Sequence, residues 1–295
     1  MTKDKILTAA KIAGGVLIFV IIAVLISRCN NPRTDALNNK IAAGYLEFPS
    51  GRYEGDTIRK TLSGEGTFYF NTGDIYVGSW EENEMSGKGT FTGSEGTYEG
   101  DFVNSARQGT GTFTWTDGAR YTGEWAADKL SGTGKLVSGQ AVYEGTFGDN
   151  RLLNGSVTIT ADNGVYILTV ADGAPANRLK ATFASGVTYD GGYADGNISG
   201  KGTMVYPGVG TYRGNFANGK RAGEGTFAWE DGAKYTGLWS EDMMHGEGTY
   251  TLDANSYLAG TFVNGALNGT YTYHNEKGNY KTTWVDNKCT GIEEE

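Results

Sequence analysis

A tyrosine returns every 22 or 23 residues from Tyr53 almost to the C-terminus, at positions 53, 76, 98, 121, 143, 166, 189, 212, 235 and 280, with Leu258 in the one missing place. Counting that residue as zero, the best copies carry glycine at two, an aromatic at four, glycine at eleven and thirteen, an aromatic at fifteen and glycine at twenty. The unit from Tyr98 shows the pattern with Gly100, Phe102, Gly109, Gly111, Phe113 and Gly118. All six tryptophans obey it: Trp80, Trp125, Trp239 and Trp284 fall at position four, Trp115 and Trp229 at seventeen. Such spacing gives about ten full units and a truncated eleventh.

Positions zero, two and four share one parity, and eleven, thirteen, fifteen and seventeen another, so two extended strands would put every marked residue on one face. Each unit reads as a β-hairpin. Its second face collects Thr110, Thr112, Thr114 and similar residues, which favour a strand without needing a core. A helix is excluded by the period of two and by glycine inside every segment. Turn signals are Asp117-Gly118, Asp231-Gly232, Asn163-Gly164, Asn218-Gly219 and Asn264-Gly265. Glycine weakens a strand, so its regular pairing with aromatics implies that each ring covers bare backbone on a neighbouring strand. Hairpins that complete one another in this way form a solenoid.

The run from Tyr212 to Gly225, Tyr-x-Gly-x-Phe followed by glycines at 219, 223 and 225, resembles the membrane occupation and recognition nexus (MORN) repeat, with Phe216 at the usual tryptophan position. The resemblance covers roughly four fifths of the chain. It implies an elongated, single-layer, antiparallel all-β sheet that acts as a scaffold, tether or dimerisation module, with membrane association often proposed for the family. The expected organisation is a tail over 1–5, a transmembrane α-helix over 6–26, a linker over 27–44 and the repeat solenoid over 45–295. No stretch of domain length is left for an enzyme beside it.

The helix reading rests on Ile6 to Ile26, whose single charge is Lys11. At 1.5 Å per residue it spans about 32 Å, enough for a bilayer when Lys11 reaches toward the head groups. A cleaved signal peptide is the rival, but Arg28 stands where a small residue is wanted. Basic residues tie across the segment, Lys3, Lys5 and Lys11 against Arg28, Arg33 and Lys40, and the free amino group tips the repeats toward the extracytoplasmic side. Residues 41–295 hold nineteen Lys/Arg and thirty-two Asp/Glu, a net charge of −13. That charge excludes nucleic acid as a partner and weakens binding to anionic lipid.

The repeat commits its side chains to structure, so little remains for catalysis. His245 and His274 match no metal motif, Gly87-Lys88-Gly89-Thr90 lacks phosphate-loop spacing, and the Glu81, Glu82, Glu84 cluster reads as a solvated turn. No cofactor is expected. Cys29 and Cys289 lie at opposite ends of the chain, and Cys289 reads as an ordinary strand residue. Binding candidates are the aromatic positions Tyr76, Trp80, Trp115, Trp125, Trp229 and Trp239. The unit from Tyr166 breaks the pattern with Leu168, Val170, Asn177 and Leu179, so Ile167, Leu168, Val170 and Leu179 form a candidate interface patch or a kink. The implied partner is a protein or a second copy of the chain; a glycan on the aromatic rows and a phospholipid surface are the alternatives.

Overall fold

The computed structural model describes residues 40–42 and 45–295, which are all-β with antiparallel pairing. The segment expected to form a membrane helix, the linker to residue 39 and Cys29 lie outside the described residues. Among those described, no helix is long and apolar enough to cross a membrane. They fall into two compact units: the first comprises 40–42, 45–158 and 170–174, the second 159–169 and 175–295.

Within each unit consecutive strands pair as hairpins. Gly51–Ile58 and Thr61–Phe70 form one, Ile75–Glu81 and Glu84–Gly93 the next. The pairing register brings glycines into direct opposition. In the first unit Gly55, Gly66, Gly78, Gly89, Gly100, Gly111, Gly123, Gly134 and Gly145 form an unbroken row across nine strands. In the second, Gly191, Gly202, Gly214, Gly225, Gly237, Gly248 and Gly260 do the same.

Over each row lie the tyrosines. A Cβ on Gly111 would overlap the Tyr98 ring and hydroxyl, and one on Gly225 would overlap those of Tyr212. Bare backbone lets the ring settle flat on the strand and drives its hydroxyl into the sheet. There the hydroxyl donates to the carbonyl three residues on: Tyr76 to Ser79 at 3.0 Å, Tyr98 to Asp101 at 3.0 Å, Tyr189 to Gly192 at 2.8 Å and Tyr212 to Asn215 at 3.0 Å. The expected ring-on-glycine contact is therefore present, and it seals the ring inside its own hairpin.

Position four joins one hairpin to the next. Trp80 meets Tyr76 and Tyr53 edge-on at 5.1 and 5.5 Å; Phe102 meets Tyr98 and Tyr76; Trp125 meets Tyr121 and Tyr98. The second unit continues the scheme with Phe216, Trp239 and Phe262, each wedged between two tyrosines. Each such pair is worth roughly 0.5–1.5 kcal/mol beyond the area it buries. The indole N–H of Trp80, Trp125 and Trp239 also donates to a glycine carbonyl of the preceding hairpin, at 3.2–3.3 Å.

Two features depart from the simple parity expectation. Glycine eleven is not equivalent to glycine thirteen: it sits in a bulge where one residue faces three, as Ser79 faces 86–88, and takes the left-handed conformation, with φ of 70° at Gly87 and 66° at Gly109. The turns also need no glycine. Glu82-Asn83, Ala127-Asp128 and Glu241-Asp242 all have two positive φ values, the type I′ pattern, whereas Asp117-Gly118 belongs to a longer loop with only the glycine positive.

The strain of those non-glycine turns is offset by docking onto the hairpin before. Asn83 donates its N–H to the Leu62 carbonyl at 3.1 Å and accepts from the Leu62 N–H at 2.9 Å. Asp128 does the same with Arg107, and Asp242 with Arg221. Neighbouring hairpins are thus fastened at both ends: by turn bonds at one end and by interleaved rings nearer the glycine row.

Burial pushes the hydroxyls of Tyr121, Tyr212 and Tyr235 up to about 12 and raises Tyr53, Tyr98 and Tyr189 as well. Because these values exceed the unfolded one near 10, the neutral rings favour the fold fully below about pH 10, and that contribution is lost as pH rises toward 12. Tyrosinate absorbance and far-UV circular dichroism followed together should show ionisation coinciding with unfolding well above pH 10. Full titration near pH 10 with the sheet signal intact would contradict the buried placement.

Candidate functional site: the rings left at the surface

The repeat sorts its aromatic side chains into two populations. Tyr76, Trp80, Trp125 and Trp239 are 0%, 3%, 3% and 5% exposed, so these four candidates are internal and do not form a contact surface. Trp115 and Trp229, at position seventeen, are half-buried. Each lies at the end of the second strand of its hairpin, beyond the tyrosine that covers the glycine row. Trp115 rests on Phe113 with ring centres 4.7 Å apart, and Trp229 on Phe227 at 4.7 Å and on Tyr250 at 5.3 Å. Neither indole N–H has a hydrogen-bond partner among the described residues, in contrast to the bonded indoles of Trp80, Trp125 and Trp239.

Beneath these rings lies a feature that the aromatic pattern does not reveal. Arg107 is buried, with its guanidinium 4.3 Å from the Trp125 ring centre; it donates to the Asp128 carboxylate at 3.1 Å and to the Asp128 carbonyl at 2.8 Å. Arg221 repeats every contact: 4.3 Å to Trp239, 3.2 Å to the Asp242 carboxylate and 2.6 Å to its carbonyl. Each cation is stacked and paired, so it acts as a clamp between successive hairpins and leaves no free charge in the groove. Both arginines stand at position nine, and an arginine on an otherwise apolar-facing position was the available sequence signal.

In the second unit the surface rings border a groove of about 830 Å³, walled by Val187, Met204, Tyr206, Val209, Trp229 and Met243, with Arg221 and Asp242 on its floor side. On the other face of the same unit, a polar trough of about 890 Å³ follows the glycine row between Arg178, Asp190, Lys201, Arg213, Glu224 and Glu247. Arg178 pairs with Asp190 at 2.7 Å, so the signs alternate and the trough has no single polarity.

The candidate patch in the degenerate unit is mostly internal. Leu168, Val170 and Leu179 are buried, filling space that glycine and a ring take up elsewhere, and only Ile167 is exposed. The Tyr166 hydroxyl is buried without a partner, the one tyrosine of the register in that state, and the boundary between the two units falls in this segment. His245 is exposed, and His274 stacks on Tyr257 and contacts Asn279 at 2.7 Å. Of the acidic cluster, Glu81 and Glu82 are exposed as expected, whereas Glu84 is buried at the start of its strand. No group of three His, Cys, Asp or Glu side chains among the described residues could hold a metal ion. Cys289 is exposed on the last strand.

Six segments match the MORN repeat. They are residues 76–97, 98–120, 121–140, 189–208, 212–234 and 235–256, three in each unit. No curated protein matches the chain. The MORN geometry extends past the matched segments: Tyr53 covers Gly66 and donates to Asp56 at 2.9 Å in the hairpin before the first match. It fails over the unmatched 141–188, where Gly145 faces Gly155 without a covering tyrosine and where Leu168 stands in for glycine.

Acrylamide quenching checks the division of the rings. Trp115, Trp229 and the half-buried Trp284 should be quenched readily, and Trp80, Trp125 and Trp239 should not. A Trp115→Phe, Trp229→Phe double variant should keep its circular dichroism and lose most of the quenchable emission. Unchanged quenching would place the accessible indoles elsewhere.

Proposed function

We propose that this chain is a non-enzymatic scaffold, fixed to a membrane by residues 6–26 and offering its MORN repeats for protein–protein contact on the extracytoplasmic side. The observation that carries this reading is the exposure of Trp115 and Trp229 at position seventeen. Where Trp80, Trp125, Trp239 and the tyrosines at 76, 98, 121, 189, 212 and 235 are buried, Trp115 and Trp229 keep a ring face and an N–H donor available. Tryptophan in such a setting is a typical anchor of protein interfaces, since it brings large area at low entropic cost.

Several properties favour holding over transforming. The arginines that could polarise a substrate are clamped between rings and aspartates, and the open grooves do not exclude water from a bound molecule. The acidic body, net −13 over residues 41–295, disfavours docking of the sheet itself on an anionic bilayer, so attachment falls to the apolar N-terminal segment. Residues that follow it then stand outside the membrane, where a partner or a second copy can engage the repeats.

The test uses the whole chain in its native membrane. Carbonate-washed membranes should retain the protein, protease added to intact cells should digest the repeats, and cross-linked partners should be lost from a Trp115→Ala, Trp229→Ala variant. Release by carbonate would remove the anchor, protection from protease would reverse the orientation, and unchanged partners in the variant would remove the indoles from the contact.

A further inference from the structure

The polar trough of the second unit carries its charge unevenly once its side chains are assigned to strands. It crosses them in order, taking Arg178 from Ala174–Phe183, Asp190 from Thr188–Ala194, Lys201 from Asn197–Tyr206 and Arg213 from Gly210–Ala217, and only then Glu224 from Lys220–Trp229 and Glu247 from Met243–Thr251. Lys180 adds a second cation on the first of these strands, directly opposite Asp190. Over the first four strands, therefore, four cations stand around one carboxylate, a net of +3 in a repeat body whose net charge is −13.

That single carboxylate is already shared. Asp190 accepts from Arg178 at 2.7 Å and lies 3.8 Å from the Lys180 ammonium. Lys201 and Arg213, exposed on adjacent strands, have no hydrogen-bond or ion-pair partner among the described residues. Lysines at the matching repeat positions of the first unit are paired instead, Lys88 with Asp101 at 2.7 Å and Lys135 with Glu144 at 3.6 Å. Like charges side by side on a sheet cost stability, so an unpaired couple of them favours a counter-charge from outside. Next to the strip, a hollow of about 330 Å³ shares Asp190 and Thr203 with the trough and is walled by Val165, Ile167 and Val205.

We infer that this basic strip binds an extended acidic segment of a partner protein, lying across the strands with its carboxylates on Lys201 and Arg213 and an aliphatic side chain in the hollow beside Ile167. The inference rests on the scaffold reading and gives it a second contact, separate from the indoles. Three strand spacings of about 4.8 Å make the strip about 14 Å long, and an extended chain rises about 3.3 Å per residue, so the strip takes about four residues. Glu224 and Glu247 set its far limit, because an acidic side chain beyond Arg213 would meet them. The same two carboxylates separate a peptide from a bilayer: a flat anionic surface resting on the strip would press on them too, whereas a narrow chain ends before it reaches them.

The full-length protein in detergent can be titrated with the blocked peptide Leu-Glu-Asp-Glu-Leu, which suits either chain direction, carrying an uncharged dye whose anisotropy reports binding. Saturable binding is expected, weakened about tenfold in a Lys201→Gln, Arg213→Gln double variant and weakened by added salt, reduced less in Ile167→Thr, and unchanged in Trp115→Ala, Trp229→Ala. All the substituted side chains of the strip are exposed, and circular dichroism confirms that each variant is folded. Equal binding of Leu-Gln-Asn-Gln-Leu, a double variant that binds as well as the parent, no saturation at millimolar peptide, or stronger binding of inorganic phosphate or dihexanoylphosphatidylserine than of the peptide would each overturn the inference. Should the peptide fail while cross-linked partners are still lost from the Trp115→Ala, Trp229→Ala variant, the scaffold reading stands and the acidic segment falls. Failure of both results removes both readings.

Discussion

A tyrosine ring lying on the bare backbone of a paired strand is the contact on which the rest of this structure depends. It requires glycine at position thirteen, because any Cβ there would enter the ring, and it requires glycine at position two, because the opposing backbones approach so closely that a Cβ on Gly78 would lie 2.5 Å from the Gly89 Cα. A side chain missing from both strands would ordinarily cost the sheet packing and entropy. Here the ring fills the gap, its hydroxyl satisfies a carbonyl inside the sheet, and its edge receives the position-four aromatic of the next hairpin. A single layer thereby obtains a buried core without a second layer to cover it.

The hairpin, its length and the ring-on-glycine contact were legible in the sequence because each is carried by a residue type with one dominant structural use at fixed spacing. Less legible were features in which one residue type serves two purposes. Glycines eleven and thirteen share a parity on paper, yet the first makes a left-handed bulge and the second a landing site for a ring. The turns at Glu82-Asn83 and Ala127-Asp128 carry no glycine, and their positive φ values are held by bonds to a hairpin some twenty residues earlier, which no local signal announces. Parity alone could not separate rings that face inward from those left open, so Trp80 and Trp115 looked alike as candidates. Place along the strand separates these two, since four lies beside the glycine row and seventeen at the strand's end, but it is no general rule: Phe70 and Phe183 at seventeen are buried and Trp284 at four is half-buried.

The degenerate unit follows from the same contact. Once Leu168 replaces the glycine at position two, a tyrosine cannot seat its hydroxyl in the sheet, and Tyr166 is left buried and unbonded while aliphatic side chains fill the space. The pattern resumes in full at Tyr189, where Gly191 and Gly202 restore the landing site. Regularity on each side of this break gives each unit its own glycine row and its own arginine clamp.

The central claim is most directly tested by a double-mutant cycle between Tyr121 and Gly134. Denaturation midpoints of the parent, Gly134→Ala, Tyr121→Ala and the double variant give the coupling between ring and bare backbone. If the ring is what forbids the Cβ, the alanine at 134 should cost on the order of 3 kcal/mol in the parent and far less once the ring is gone, a coupling well above 1 kcal/mol. Additive costs, with Gly134→Ala equally damaging in both backgrounds, would show that the glycine serves some other purpose and would contradict the account.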